Sequence, residues 1–226
     1  IGSILNHSKM KRAFLLISVV HLLLAFFSSC TSVTTTLNQL LPVVLDDQGN
    51  IVKSDTRYFV YPIAGGGGVT RGPLYEAGDT NFVCPSQVVQ SSFDGDKGTS
   101  VYFKPKAPKQ VEIIESTDLN IEFYLDNPTI CNNTVWEVEG FPGYELPMFL
   151  STNGEAGNPA KVSSWFRIKR VIDRIYKLVF CPFGEDICND IGIKSVDGQW
   201  RLAIGTDRPF IVKFVKDSNI GINSII

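Results

Sequence analysis

Residues 102–112 read Tyr102-Phe103-Lys104-Pro105-Lys106-Ala107-Pro108-Lys109-Gln110-Val111-Glu112, inside a stretch bounded by Cys84 and Cys131. Half-apolar segments flank a centre that is rich in lysine and proline. Proline fixes φ near about −65° and removes a backbone donor, so Pro105 and Pro108 favour an extended segment that joins neither a ladder nor a helix. The pattern predicts a stiff, exposed peptide whose lysines project into solvent.

An extended peptide with a basic side chain at its crest suits the acidic specificity pocket of a trypsin-like protease. A peptide that is ordered before docking loses little further entropy, so it binds tightly and is cut slowly. The first hypothesis is therefore a protease inhibitor. The alternative is a solvated, lysine-rich hairpin turn without function.

The N-terminal region has the pattern of a secretory signal peptide. A basic start at residues 10–12 precedes an apolar run at residues 13–27, and small residues follow. The run is too short for a transmembrane helix, so we predict that residues 1–35 are a pre-sequence and signal peptide, with initiation at Met10 and cleavage within residues 30–36. A retained signal anchor is the alternative. Cleavage implies secretion, to the extracellular space (apoplast) or the vacuole.

Removal of this leader changes the charge and the chemistry of the chain. The formal net charge at pH 7 falls from −2 to −5, because Lys9, Lys11 and Arg12 are lost without any acid. An acidic chain is poorly suited to nucleic acids or anionic membranes. Both histidines, His7 and His21, are lost as well. We therefore expect no enzyme of the Ser-His-Asp or Cys-His type, no histidine metal site and no cofactor.

Four cysteines remain after the leader: Cys84, Cys131, Cys181 and Cys188. An even number in a secreted chain predicts disulfides, and four cysteines allow three pairings. The short separation of Cys181 and Cys188 favours a bridge between them, which leaves Cys84 to pair with Cys131. A zinc site built from all four thiolates is the alternative, and it is disfavoured outside the cell.

The rest of the chain predicts an all-β fold. Apolar residues do not recur at helical spacing, whereas short runs of β-branched and aromatic residues do recur between glycine, proline and Asx residues. These runs lie at residues 58–61, 101–103, 120–124, 134–138, 164–168, 177–180 and 210–214. About 190 mature residues suffice for one core, and no linker divides them, so we expect a single barrel or sandwich domain at residues 36–226.

Four smaller patterns concern symmetry, nucleotides, charge and glycosylation. Residues 117–123 resemble residues 206–214, which suggests an internal repeat. The glycine run at residues 65–68 lacks the Gly-Lys-Ser/Thr ending of a phosphate loop, so a flexible turn is expected there.

The basic residues within 167–174 predict a solvated face, with a partner surface as the alternative. Asn132-Asn133-Thr134 is a glycosylation sequon with Asn132 as its acceptor.

The order of short motifs along the chain is similar to that of a known family. Val44-x-Asp46-x-x-Gly49-x-x-Val52 is followed by Tyr58-x-Val60, and the later matches are Cys84-Pro85-Ser86-Gln87-Val88-Val89-Gln90, Asp96-Lys97-Gly98, Ser116-Thr117-Asp118-Leu119-Asn120-Ile121, Trp165-Phe166-Arg167, Tyr176-Lys177-Leu178-Val179-Phe180-Cys181-Pro182, Cys188-x-Asp190-Ile191-Gly192-Ile193 and Arg201-Leu202-Ala203-Ile204. Together they resemble the plant Kunitz (soybean-type) trypsin inhibitors, including miraculin-like members. The resemblance implies a β-trefoil of twelve strands in three pseudo-repeats, stabilised by two disulfides with the pairing favoured above.

The resemblance also implies an inhibitory loop between the fourth and fifth strands, within the residues Lys104, Pro105, Lys106, Ala107, Pro108, Lys109 and Gln110. The chain has one residue more than the soybean-type spacing between Gly98 and Phe123. Counting back from Phe123 favours Lys109 as the P1 residue, with Gln110 as P1′, and Lys106 is the second candidate. A lysine at P1 implies a trypsin-like serine protease as the partner, because its ammonium pairs with the pocket carboxylate.

One departure from the family concerns the support of this loop. Family inhibitors use an asparagine to hydrogen-bond the reactive loop from behind, and the matching position is Ser54, beside Asp55. Serine is too short to bridge two carbonyls, so either Asp55 substitutes or the loop is looser and inhibition is weaker. Since fold does not decide the target, the alternative is a monomeric binding, defence or storage protein that acts on a cysteine or aspartic protease or a carbohydrate. We expect a monomer in either case.

Overall fold

The computed structural model describes residues 42–72, 84–126, 131–143, 145–184 and 187–218, which fall within one compact unit, 41–226. The predicted signal peptide, with Met10 and the cleavage region, lies outside the described residues. The described part contains one short 3-10 helix at Val162–Ser164 and twelve strands: β1 Tyr58–Pro62, β2 Val69–Gly72, β3 Gln87–Gln90, β4 Val101–Pro105, β5 Leu119–Phe123, β6 Glu137–Val138, β7 Met148–Ser151, β8 Arg167–Ile172, β9 Ile175–Phe180, β10 Asn189–Val196, β11 Gln199–Ile204 and β12 Ile211–Lys216. In this part of the chain, no helix has the length and apolarity needed to span a bilayer.

Six of these strands close a barrel. Antiparallel pairing connects β5 to β4, β4 to β1, β1 to β12, β12 to β9 and β9 to β8. A bridge between Leu119 in β5 and Phe166, the residue before β8, completes the ring. Closure leaves the barrel without a free sheet edge.

The other six strands form three hairpins that cap one end of the barrel. The hairpins are β2–β3, β6–β7 and β10–β11, and they contact one another because β3 pairs with β7 and β11, and β7 pairs with β11. Each third of the chain therefore supplies two barrel strands and one hairpin. This arrangement is a β-trefoil, so the expected fold class is confirmed.

The similarity between residues 117–123 and 206–214 is not a sign of this three-fold symmetry. Residues 117–123 lead into β5, the first strand of the second third, whereas residues 206–214 lead into β12, the last strand of the final third. The symmetry relates β5 to β1 and β9, and it relates β12 to β4 and β8. The two segments share a turn followed by a strand at positions that are not equivalent.

Aromatic rings fill the barrel interior. Phe103, Phe214 and Tyr176 are fully buried and lie in a row, with centroid distances of 5.0 Å and 5.3 Å between neighbours. Trp136 and Phe166 are also completely buried. Burying each large side chain contributes about 1.5–3 kcal/mol, so these rings supply much of the stability of the barrel.

Two tyrosine hydroxyls fasten the segment before β1 to the barrel. The backbone N–H of Leu45 donates to the hydroxyl of Tyr176 at 2.8 Å, and that of Lys53 donates to the hydroxyl of Tyr58 at 3.1 Å. Burial is the main cause that raises the pKa of both phenols, so both remain protonated. Between these anchors, the buried carboxylate of Asp46 accepts hydrogen bonds from the backbone N–H groups two and four residues later. The segment at residues 42–54 is therefore held firmly against the barrel.

The glycine run at residues 65–68 is exposed at Gly65 and closely packed from Gly66 to Gly68. The N–H of Gly68 donates to the carbonyl of Asp96 at 2.7 Å. A Cβ atom on Gly68 would clash with the carbonyl of Lys97. The glycines allow two backbone segments to approach closely, which a larger residue would prevent.

Both expected disulfides are present. Cys84 bonds to Cys131 across 47 residues of sequence, and Cys181 bonds to Cys188 across 7. The pairing favoured by spacing is therefore confirmed. None of the four sulfurs is left as a thiolate for zinc.

We expect the double replacement Cys84→Ser and Cys131→Ser to lower the free energy of unfolding by about 4 kcal/mol, and Cys181→Ser with Cys188→Ser to lower it by about 2 kcal/mol. The reason is that a disulfide restricts the unfolded chain more strongly when it closes a longer loop. Urea denaturation followed by tryptophan fluorescence measures both values. Equal losses from the two pairs would contradict this explanation.

Candidate functional site

The exposed loop begins later than the sequence predicts. Lys104 and Pro105 are the last residues of β4, and Pro105 lies opposite Leu119 in the ladder with β5. The expectation that Pro105 stays out of a ladder is therefore wrong. Its missing N–H costs no ladder bond, because Leu119 exchanges its hydrogen bonds with Phe166 on its other side.

The crest of the loop is a β-turn. The N–H of Gln110 donates to the carbonyl of Ala107 at 3.0 Å, with Pro108 and Lys109 as the central residues. Proline suits the first central position because its φ is fixed near the value that the turn requires. The side chains of residues 106–109 are exposed. The crest is thus ordered, but it is turned and not extended as predicted.

The three lysines of the predicted loop differ in what their ammonium groups contact. Lys104 Nζ lies 4.5 Å from the centroid of the Tyr102 ring. Lys106 Nζ lies 3.0 Å from Asp118 Oδ2. Lys109 makes no ion pair and no ring contact within the described residues. Of these three lysines, Lys109 is therefore the one whose ammonium group has no such contact within the described residues.

Asp118 binds the ascending side of the loop, which is the part that follows β4, to the barrel. Its backbone carbonyl accepts the N–H of Lys106 at 2.9 Å, and its Oδ1 lies 2.6 Å from Arg167 Nε. Partial burial alone would raise the pKa of Asp118, but the hydrogen bonds from Arg167 and Lys106 outweigh it and hold the pKa below its ordinary value. Asp118 is therefore a carboxylate at neutral pH, paired with both cations.

The returning side of the loop, which is the part at residues 110–113 that leads toward β5, is held by the segment before β1. The N–H of Ser54 donates to the carbonyl of Val111 at 2.8 Å, and the N–H of Ile113 donates to the carbonyl of Val52 at 2.9 Å. Ser54 Oγ also donates to the carbonyl of Gln110 at 3.3 Å. Ser54 thus lies behind the loop, at the position that the resemblance implies.

Asp55 does not take over the supporting role. Its carboxylate is exposed and accepts a hydrogen bond from Thr56 Oγ1 at 3.1 Å, and it bonds to no described residue of the loop. Gln110 adds a contact that the sequence did not indicate, because its Nε2 donates to the carbonyl of Glu112 at 2.9 Å. The support combines one serine hydroxyl with backbone pairing.

The two anchors Asp118 and Arg167 were missed by sequence reasoning. Arg167 belongs to the basic run that was expected to be a solvated face, yet it is 9% exposed and bonded to Asp118. The pair is separated by 49 residues of sequence. Nothing local signals such a contact, because it arises only when β5 and β8 become neighbours in the barrel.

Two further expectations concern modification and metals. Asn132 is exposed, next to the buried Cys131, and the sequon hydroxyl of Thr134 lies 3.1 Å from a carboxylate oxygen of Glu122. In the described part of the chain, no three His, Cys, Asp or Glu side chains are grouped as they would be around a metal ion.

Comparison with known proteins relates this chain to protease inhibitors. Residues 44–216 match the Kunitz legume family, described as "Trypsin and protease inhibitor". The chain is 35% identical over 203 residues to Kunitz trypsin inhibitor 5 of Arabidopsis thaliana, covering 86% of this chain and 95% of that one. It is 34% identical over 211 residues to miraculin of Synsepalum dulcificum, covering 85% and 94%.

Solved structures agree with these sequence relatives. Soybean trypsin inhibitor, in its complex with porcine pancreatic trypsin, superposes with a TM-score of 0.61 at 31% identity, covering 77% of this chain and 99% of that one. The Kunitz-type cysteine protease inhibitor PCPI-3 from potato superposes with a TM-score of 0.62 at 28% identity, covering 78% and 97%. On the family match across the whole trefoil and on these identities, the chain belongs to the Kunitz legume family of trypsin and protease inhibitors.

Proposed function

We propose that this protein inhibits a trypsin-like serine protease by presenting Lys109 as the P1 residue and Gln110 as P1′. The observation that carries the proposal is the difference between the lysines. Lys106 is paired with Asp118, whereas the exposed ammonium of Lys109 is unpaired within the described residues. A protease pocket with a buried carboxylate would supply the partner that Lys109 lacks.

The fixed flanks of the loop support tight binding. Ser54 holds the returning side and Asp118 holds the ascending side, so few residues remain to be ordered when a protease docks. The turn at the crest opposes binding slightly. If the protease requires an extended segment, the hydrogen bond from Gln110 to Ala107 must break, at a cost of about 0.5–1.5 kcal/mol.

The setting of this activity is also part of the proposal. A leader at residues 1–35 would direct the chain into the secretory pathway, to the apoplast or the vacuole, where disulfides persist. We propose that the mature chain acts there as a monomer, as one trefoil domain. Its partner is the target protease, without a cofactor.

A different protease class is the second candidate. The turned crest favours it, because an extended segment is what a trypsin-like cleft accepts. The structural similarity to the potato cysteine protease inhibitor, with a TM-score of 0.62, is as high as that to the soybean trypsin inhibitor at 0.61, although the identity is 28% against 31%. Titration of papain and pepsin alongside trypsin separates the two candidates.

We expect the protein with intact disulfides to titrate trypsin stoichiometrically, and Lys109→Ala to weaken inhibition by more than about 100-fold, as for other central anchor residues. Lys109→Arg retains the charge and should inhibit within about tenfold of the wild type. Lys106→Ala is the matched control: it removes a half-exposed ion pair but keeps the backbone bond to Asp118, so the inhibition constant should change by less than about fivefold. The inhibition constants come from steady-state hydrolysis of a chromogenic substrate.

Loss of inhibition in Lys106→Ala but not in Lys109→Ala would assign P1 to Lys106 instead. Absence of trypsin inhibition by a folded wild-type protein would reject the serine-protease proposal.

The hydroxyl of Ser54 gives a second prediction. Ser54→Ala removes its bond to Gln110 and should weaken trypsin inhibition by about 0.5–1.5 kcal/mol, which is up to about tenfold. Ser54→Asn introduces the longer amide and should strengthen inhibition. Trypsin should cleave the loop faster in Ser54→Ala and more slowly in Ser54→Asn, as measured by mass spectrometry. No change in either variant would show that backbone pairing alone supports the loop.

The Asp118 carboxylate should make the free energy of unfolding depend on pH. Because its pKa is lower in the folded protein than in the unfolded chain, its stabilisation is present above about pH 4 and is lost as the pH falls through the folded pKa. Asp118→Asn should therefore lower the free energy of unfolding by about 1–3 kcal/mol at pH 7, and by progressively less below pH 4. Urea denaturation at several pH values tests this. A loss that is constant down to pH 2 would contradict the ion-pair explanation.

A further inference from the structure

A second candidate site lies in the cap, between the hairpins β2–β3 and β10–β11. It is a cleft of about 310 Å³, and Gln90, Phe93, Asp96, Gln199 and Trp200 are among its lining residues. The volume is at the lower end of the range for small-molecule sites. The cleft is open, and it combines aromatic rings with polar side chains.

Trp200 provides a fixed aromatic surface in this cleft. Its side chain is 37% exposed, whereas Trp136 and Trp165 are buried. A Cβ atom on Gly66 would lie 2.9 Å from Trp200 Cζ3, so the ring packs directly against the glycine run. Strand pairing with Gln90 fixes the backbone of Trp200 as well. An indole that is rigid before binding loses little entropy when a flat ligand stacks on it.

Two polar side chains that line the cleft, Gln199 and Asp96, offer hydrogen-bond acceptors. Gln199 Oε1 is buried and accepts no hydrogen bond within the described part of the chain. A buried acceptor without a donor is unfavourable, so the Gln199 amide gains a bond if it turns toward the cleft and accepts a ligand hydroxyl. The exposed carboxylate of Asp96 has one oxygen bonded to the N–H of Gly98 at 2.8 Å. Its second oxygen adds another acceptor.

The cationic group of the cleft is not available to an anion. Arg71 is 7% exposed, and its guanidinium donates to the carbonyls of Pro85 and Cys131 at 2.8 Å and 3.2 Å. Asp96 would also repel a negative charge. The cleft therefore favours a neutral ligand that has several hydroxyl donors and one flat apolar face.

We propose that this cleft binds a neutral saccharide, with the apolar face of one sugar ring on Trp200 and its hydroxyls donating to Gln199 and Asp96. The site is independent of the inhibitory loop. β4 and β5 lead away from the cap to the loop, so Lys109 lies at the opposite end of the barrel. Saccharide binding would therefore be retained in Lys109→Ala.

Triacetylchitotriose and cellotriose are suitable probes, because both are neutral β-linked trisaccharides and they differ in the acetamido group. Titration with at least one of them should give a saturable change in tryptophan fluorescence, with a dissociation constant of about 0.1–1 mM. Because Trp200 is itself a fluorescent reporter, binding to Trp200→Ala is measured by calorimetry and should be abolished, and Gln199→Met should weaken binding about tenfold. Trp165→Phe is the matched control, which removes a buried indole and should leave binding unchanged.

Absence of a response to both sugars at about 10 mM, confirmed by calorimetry, would overturn the proposal. Unchanged affinity in Trp200→Ala or in Gln199→Met would also overturn it. The midpoint of urea denaturation of each variant shows whether it is folded. If Trp200→Ala does not fold, Gln199→Met decides the outcome, since it preserves side-chain size and leaves the indole in place.

Discussion

Two buried phenol hydroxyls hold the part of the structure on which the loop depends. Tyr58 and Tyr176 lie in the aromatic row of the barrel, and their hydroxyls bind the backbone of the segment at residues 42–54. That segment pairs in turn with the returning side of the loop through Ser54. Packing of the core and rigidity of the binding loop are therefore connected by two hydrogen bonds. A substitution that shifts either ring would loosen a crest that it does not touch.

The sequence predicts the barrel better than the cap. Strands such as β1 and β12 alternate between buried and partly exposed residues, which is the pattern that identifies a strand with one face in a core. Four of the six cap strands, β2, β3, β6 and β7, have four residues or fewer, and the cap strands lack this alternation. β3, for example, has three consecutive buried residues, and it pairs with β2, β7 and β11 within the assembled cap. Strands of this kind follow from the three-fold assembly and have little local signature.

The candidate site was also predicted in part from the sequence. The lysine- and proline-rich loop and the serine behind it were found from local sequence and family resemblance. The turn at the crest was not, because Pro108 is compatible with both an extended segment and the first central position of a turn. The pairing of Asp118 with Arg167 and the tight packing of Gly68 were also not predicted, because both depend on segments that meet only in the folded chain. Contacts between segments that are distant in sequence cannot be predicted from local sequence patterns.

The disulfide between Cys84 and Cys131 encloses the peptide bond between Lys109 and Gln110. A protease that cuts this bond does not release a fragment, because the two halves stay covalently joined and hydrogen-bonded to the barrel on both sides of the break. The new carboxylate and amine remain near one another at an effective concentration that no separate peptides could reach. Re-formation of the bond then competes with departure of the enzyme. Under the proposed function, the cut protein is a second form of the inhibitor and not its degradation product.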